Sequence, residues 1–137
     1  ILEIPAGGTK MPTNEDTIKN RLHFIKMDGK EVFKLAVMKM VRASQKALEK
    51  CGKKPEDLAL LIPHQANMRI IEAIIERMNM PKEKVYINLD KYGNISAATT
   101  IIALDEARRQ NKLKSGDLVE LVAFGGGLTW ASAVLRM

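Results

Sequence analysis

Three groups in the sequence have residue types suited to carbonyl chemistry: His64, Asn94 and the triple glycine Gly125, Gly126 and Gly127. An asparagine amide does not titrate, so Asn94 is neither acid nor base, but it can donate a hydrogen bond to a carbonyl oxygen that gains negative charge. A neutral imidazole at His64 can donate in the same way through one ring nitrogen, and bare glycine backbone brings N–H groups close to a ligand. With no carboxylate nearby, the set reads as a stabiliser of an oxyanion or enolate rather than a hydrolytic triad. Each group also has a plainer explanation. His64 alone suits a histidine bonded to its own loop, Asn94 after Gly93 suits a turn residue that tolerates left-handed backbone, and three glycines suit a tight hairpin.

The elements around these residues favour the chemical reading. The run LALLI over 58–62 is apolar throughout, which predicts a strand buried on both faces, and His64 follows it directly. Ligands in open α/β sheets collect at such carboxyl ends of strands. A helix is predicted over 67–78, with Ile70, Ile71, Ile74, Ile75 and Met78 inward. Pro81 opens a short helical turn, 85–87 reads as a brief strand, and 92–94 as a turn into a helix over 96–111. The first half of that helix, ISAATTIIAL, lacks a charged face and is predicted to be buried, whereas its second half carries charges into solvent. Strands over 118–124 and 128–135 flank the glycines as an antiparallel hairpin.

Upstream, Asp28 three residues before Glu31 predicts the start of a long helix. Its apolar stripe is Phe33, Val37, Met40, Val41, Ala47 and Leu48, and Gly52 closes it. Residues 1–4 read as the end of a strand and 5–29 as a long loop. The order β-α-β-α-β-α-β-β predicts an α/β fold, a mixed sheet with helices on its faces. We divide the chain into 1–30, a strand end with its connecting loop, and 31–137, the folded unit.

A nucleophile is missing from this set. Cys51 is the only cysteine and ends a surface-type helix in EKCGKK with no base nearby, so it reads as structural or incidental. Ser96, Thr99 and Thr100 read as cap or core residues. With His23 far from His64, no metal site is expected. A single cysteine fits a reducing, cytoplasmic compartment. No apolar run approaches the roughly 18–20 residues that span a bilayer, so no membrane segment is expected. The start ILEIPAGG, without an initiator Met or a signal-peptide pattern, suggests a segment of a longer polypeptide. The net charge of +6 favours an acidic partner, but few aromatics and no nucleic-acid motif argue against nucleic acid.

The segments PHQANMRII (63–71), YGNISAA (92–98), LDEA (104–107), AFGGGLTWASA (123–133) and MDGKEVFKLAV (27–37) together resemble β-ketoacyl-acyl-carrier-protein synthase III. That family of thiolase-like condensing enzymes initiates bacterial fatty-acid synthesis. The likeness covers nearly the whole chain, is weakest over 5–26, and corresponds to the C-terminal half of that family's subunit. It implies the C-terminal half of a thiolase-like fold and an acyltransferase that condenses an acyl-CoA, expected to be acetyl-CoA, with malonyl-acyl-carrier protein. It implies that His64 and Asn94 are the catalytic pair acting on the malonyl thioester carbonyl. It further implies that the Gly126 N–H is an oxyanion donor, that Phe124 borders the active site, and that Gly29, Phe33 and Asn67 line the CoA and pantetheine tunnel. Lys34 and Arg69 match positions that dock the acidic carrier protein, with solvated helix charge as the alternative.

The resemblance implies no cofactor, only CoA and phosphopantetheine thioesters as substrates. The family's nucleophilic cysteine and most of its homodimer interface lie in the N-terminal half, so this chain alone is expected to be inactive. A polyketide- or quinolone-type condensing enzyme and a non-catalytic carrier-protein or acyl-CoA binding module stay open as alternatives.

Overall fold

The structure, a computed structural model, describes residues 1–137. The N-terminal segment is more ordered than a loop. Strand β1 (Leu2–Glu3) pairs antiparallel with β2 (Lys26–Met27), and a short helix, α1 (Glu15–Lys19), lies between them. No apolar periodicity announces α1. It forms because Asn14 and Thr17 cap each other: the Thr17 N–H donates to Asn14 Oδ1 at 2.9 Å, and the Asn14 N–H donates to the Thr17 hydroxyl at 2.8 Å.

Helix α2 (Gly29–Lys50) begins where the sequence predicts, with the Glu31 N–H donating to the Asp28 carboxylate. It ends at Gly52, whose φ of +63° suits a residue without a side chain. There the Lys53 and Gly52 N–H groups donate back to the Leu48 and Glu49 carbonyls, satisfying the last turn. A 3-10 turn (Pro55–Asp57) then holds Leu58 out of the sheet by a bond from its N–H to the Pro55 carbonyl. Strand β3 is therefore Leu60–Pro63, two residues later than the apolar run begins.

Helix α3 (Met68–Met78) buries the five residues its periodicity selects. After it come α4 (Leu89–Tyr92), α5 (Ala98–Arg109), β4 (Leu118–Gly125) and β5 (Thr129–Arg136). The strand predicted over 85–87 is reduced to a single bridge from Val85 to Leu61. Tyr86 still donates its N–H to the Leu61 carbonyl, but the Asn88 N–H turns to the Gln65 side chain, so a side chain replaces the ladder.

The main sheet is mixed, in the order β3-β4-β5, parallel across the first pair and antiparallel across the second. Alternation along the strands assigns one face to each helical layer. Leu61 and Val122 point into the core shared with α2 and α3, while Leu60, Ile62 and Val119 meet Ala103 and Ala107 of α5. One buried position is not apolar. Glu120 of β4 lies on the α2 side and accepts the Ser132 hydroxyl at 2.5 Å, and burial pushes its carboxyl pKa up.

Helix α5 departs from expectation. Its start is exposed rather than buried: Ile95, Ser96, Ala97 and Ala98 are open, and Ile101 is 59% exposed. The helix buries only Thr99, Ala103 and Ala107, spaced four apart along one stripe. No helix of the structure is long and apolar enough to cross a membrane.

Ile71 is fully buried on α3 at the centre of the larger core. Ile71→Ala is predicted to lower unfolding stability by about 2–5 kcal/mol, read from urea melts.

Candidate active site

Parallel pairing sets Pro63 of β3 opposite Val122 of β4, and the His64 N–H donates to the Val122 carbonyl at 2.7 Å. The chain therefore leaves β3 at His64 on the same end of the sheet at which β4 runs on to Phe124 and the glycines. By alternation the His64 side chain points to the α5 face. Its Nδ1 lies 2.6 Å from the Thr99 hydroxyl, and partial burial pushes the imidazole pKa down, so the ring is neutral near pH 7.

Asn94 stands in the connection from α4 to α5. The left-handed residues of this connection are Gly93 (φ +66°) and Ser96 (φ +56°), and not Asn94. The turn explanation for Asn94 thus loses its backbone requirement. Left-handed backbone at a serine costs on the order of 1 kcal/mol, and its neighbours hold it there. The Ser96 N–H donates to Asn94 Oδ1 at 3.1 Å, while the Ser96 carbonyl accepts the Thr99 N–H at 3.2 Å and lies 3.0 Å from the Thr99 hydroxyl. With Oδ1 engaged, the exposed amide keeps its Nδ2 donors, which bond to no other residue. His64, Thr99, Ser96 and Asn94 thus form one hydrogen-bonded chain.

A second network fixes both ends of that chain. Gln65, buried beside His64, donates through Nε2 to the Pro63 and Tyr86 carbonyls and accepts the Asn88 N–H on Oε1. Asn88 passes the connection to Glu106 of α5, donating at 2.8 Å. The Tyr86 hydroxyl (3.2 Å), the Lys91 ammonium (3.2 Å) and the Tyr92 hydroxyl (3.1 Å) donate to the same carboxylate. The Asn88 amide, helped by Lys91 and Tyr92, lowers the Glu106 carboxyl to about 2 against an opposing push from burial. Its side chain is 18% exposed, an exception to the solvated second half predicted for α5.

The remaining candidates are spread around this end of the fold. Phe124 and Phe33 are half-buried and pack against the same apolar core. Gly126 is exposed in the β4–β5 turn, its carbonyl accepting the Thr129 hydroxyl. Gly29 and Lys34 are exposed on the first turns of α2. Asn67 caps α3, accepting the Ile70 N–H at 3.0 Å, and its residue surface is open. The Arg69 guanidinium lies 5.4 Å over the Phe33 ring, so two residues expected to act separately touch. Cys51 is exposed at the end of α2. Sequence reasoning missed Gln65 and Glu106 and read Thr99 only as a cap or core residue. The available signals were their positions inside PHQAN, LDEA and the helix after Asn94.

Comparison with known proteins agrees with this architecture. Residues 48–137 match the family described as 3-oxoacyl-[acyl-carrier-protein] synthase III C terminal. A β-ketoacyl-[acyl-carrier-protein] synthase III of Caldanaerobacter subterraneus subsp. tengcongensis is 56% identical over 135 residues, covering 98% of this chain and 41% of that protein. The crystal structure of 3-oxoacyl-[acyl-carrier-protein] synthase III from Aquifex aeolicus VF5 superposes with a TM-score of 0.82 at 53% identity, over 84% of this chain and 37% of that one. The priming β-ketosynthase of the R1128 polyketide pathway superposes at 0.80 with 33% identity, over 90% of this chain and 38% of that one.

The fold is thus the C-terminal half of a thiolase-like α/β fold. More narrowly, the chain belongs to the 3-oxoacyl-[acyl-carrier-protein] synthase III family. It spans about two fifths of the length of the curated relatives it matches (41%).

The Glu106 network carries a pH signature. Because the folded carboxyl titrates at about 2 and its ordinary value is 4.5, its stabilisation is full above about pH 4.5 and is lost as pH falls toward 2. Urea midpoints measured across that window should fall for the wild type, and Glu106→Gln should flatten the fall while lowering stability at neutral pH.

Proposed function

We propose that this chain supplies the malonyl-handling half of a decarboxylative condensing site that initiates fatty-acid synthesis. The observation that carries the reading is the hydrogen-bonded chain from His64 through Thr99 and Ser96 to Asn94, which ties a neutral imidazole to an exposed amide whose Nδ2 donors bond to no other residue. Two such donors suit the oxygen of a thioester carbonyl.

When the malonyl carboxylate leaves as CO2, the electrons of the broken C–C bond pass to the α-carbon and develop charge on that oxygen. Donors held in advance stabilise the enolate without rearranging. The enolate carbon then attacks the carbonyl of an acyl group held as a thioester. That attack forms the new C–C bond, the Gly126 N–H would bind the resulting tetrahedral oxygen, and collapse re-forms the carbonyl, breaks the C–S bond and expels the thiolate.

The thiolate is assigned to a cysteine in the N-terminal half of the complete subunit. Cys51 is exposed at the end of α2 and belongs to no part of this site. The acyl donor is an acyl-CoA, acetyl-CoA in the simplest case, and the other substrate is malonyl-acyl-carrier protein. Phe124, Phe33, Gly29 and Asn67 are assigned to the walls of the site and its pantetheine channel. Lys34 and Arg69 are assigned to docking the acidic carrier protein, and the complete subunit to a cytoplasmic homodimer. The likeness to a polyketide priming β-ketosynthase favours one second reading, in which the same half-site serves a related condensation with a different primer.

The test is malonyl-thioester decarboxylation by the complete enzyme. His64→Ala and Asn94→Ala are each expected to lower the rate by about 10²–10³-fold, the usual effect of removing one such donor. Wild-type decarboxylation by both variants would sink the proposal.

A further inference from the structure

We infer that Thr99 is the positioning residue that sets the tautomer of His64: its hydroxyl donates to Nδ1, leaving the ring hydrogen on Nε2, where it faces the thioester oxygen. The inference rests on the donor role proposed above for His64 and supplies the condition that role requires. A neutral imidazole carries one ring hydrogen, so it donates through Nε2 only if Nδ1 accepts. The one hydrogen-bond partner of Nδ1 is the Thr99 hydroxyl at 2.6 Å.

That hydroxyl also has one hydrogen, and it lies between two acceptors, Nδ1 and the Ser96 carbonyl at 3.0 Å. Two observations direct the hydrogen to the ring. The Ser96 carbonyl already accepts the Thr99 backbone N–H at 3.2 Å, so it is not stranded. The ring contact is also the shorter of the two, 2.6 Å against 3.0 Å to the carbonyl, so the hydroxyl makes its better bond to Nδ1. Burial supports the arrangement from both sides. Thr99 is 2% exposed, so water does not compete for its hydroxyl, and the partly buried ring resists taking a second proton. The opposite arrangement, Nδ1–H donating to Thr99 and Thr99 to Ser96, leaves a bare lone pair on Nε2 and turns His64 into an acceptor.

The experiment reads the tautomer directly, from the ¹⁵N chemical shifts of His64 in the complete enzyme, beside malonyl-thioester decarboxylation kinetics. The wild type is expected to show a single Nε2–H tautomer. Thr99→Val, which keeps the shape and removes the hydroxyl, is expected to show mixed tautomers and about a tenfold lower kcat, the scale of one lost hydrogen bond, with KM within about twofold. Thr99→Ser is expected to restore both.

An Nδ1–H tautomer in the wild type overturns the inference, and that spectrum needs no variant to fold. Unchanged kcat in Thr99→Val with an inactive His64→Ala also overturns it while leaving the role of His64 standing. Full activity of His64→Ala removes the donor reading itself, whatever Thr99 does.

Discussion

The bond from the His64 backbone N–H to the Val122 carbonyl extends the β3–β4 ladder one residue beyond the short strand β3. This settles where β3 stops being sheet and where its side chains begin to serve another purpose. Alternation then sends His64 to the α5 face, because Leu60 and Ile62 already point there. A slip of one residue in this register would send the imidazole toward α2 and α3 and bury it among isoleucines. Everything else at the site is arranged around a ring whose direction the sheet has chosen.

Helix α5 answers from the other side. Its buried stripe of Thr99, Ala103 and Ala107 lies against that sheet face, and the small alanines let the helix approach. Thr99 opens the stripe, so the first polar atom on the buried side meets the imidazole. The left-handed Ser96 then folds the incoming chain back, so that one serine engages both Thr99 and Asn94. Strain at Ser96 is the local cost of joining the Asn94 side chain to Thr99 within one turn.

How much of this the sequence reveals follows from the range of the forces involved. Asp28, Gly52 and Asn67 act within a few residues, so the ends of α2 and the start of α3 are legible, and the isoleucines of α3 report a buried stripe by spacing alone. His64 and Asn94 are legible as candidates because few residue types can donate to a carbonyl oxygen while uncharged. Uncharged sequence at the start of α5 was less informative. Lack of charge says that a surface tolerates apolar contact, and does not say which side is covered. Ser96 is illegible because serine has no preference for left-handed backbone. Gln65, Thr99 and Glu106 are illegible in their roles because their partners lie far along the chain, and only the fold brings them within hydrogen-bond range.

The Glu106 carboxylate accepts from Tyr86, Asn88, Lys91 and Tyr92, four residues of one short segment, through only two oxygens. Donors that share an acceptor are not energetically independent, and losing one changes what the others contribute. Substitutions among these five positions are therefore epistatic. A change at Tyr92 or Lys91 that is mild in the intact network becomes severe once Asn88 is gone, and a replaced Glu106 leaves four donors seeking other partners together. The effect of any one substitution in this corner of the molecule is therefore set by which of the other four groups are present.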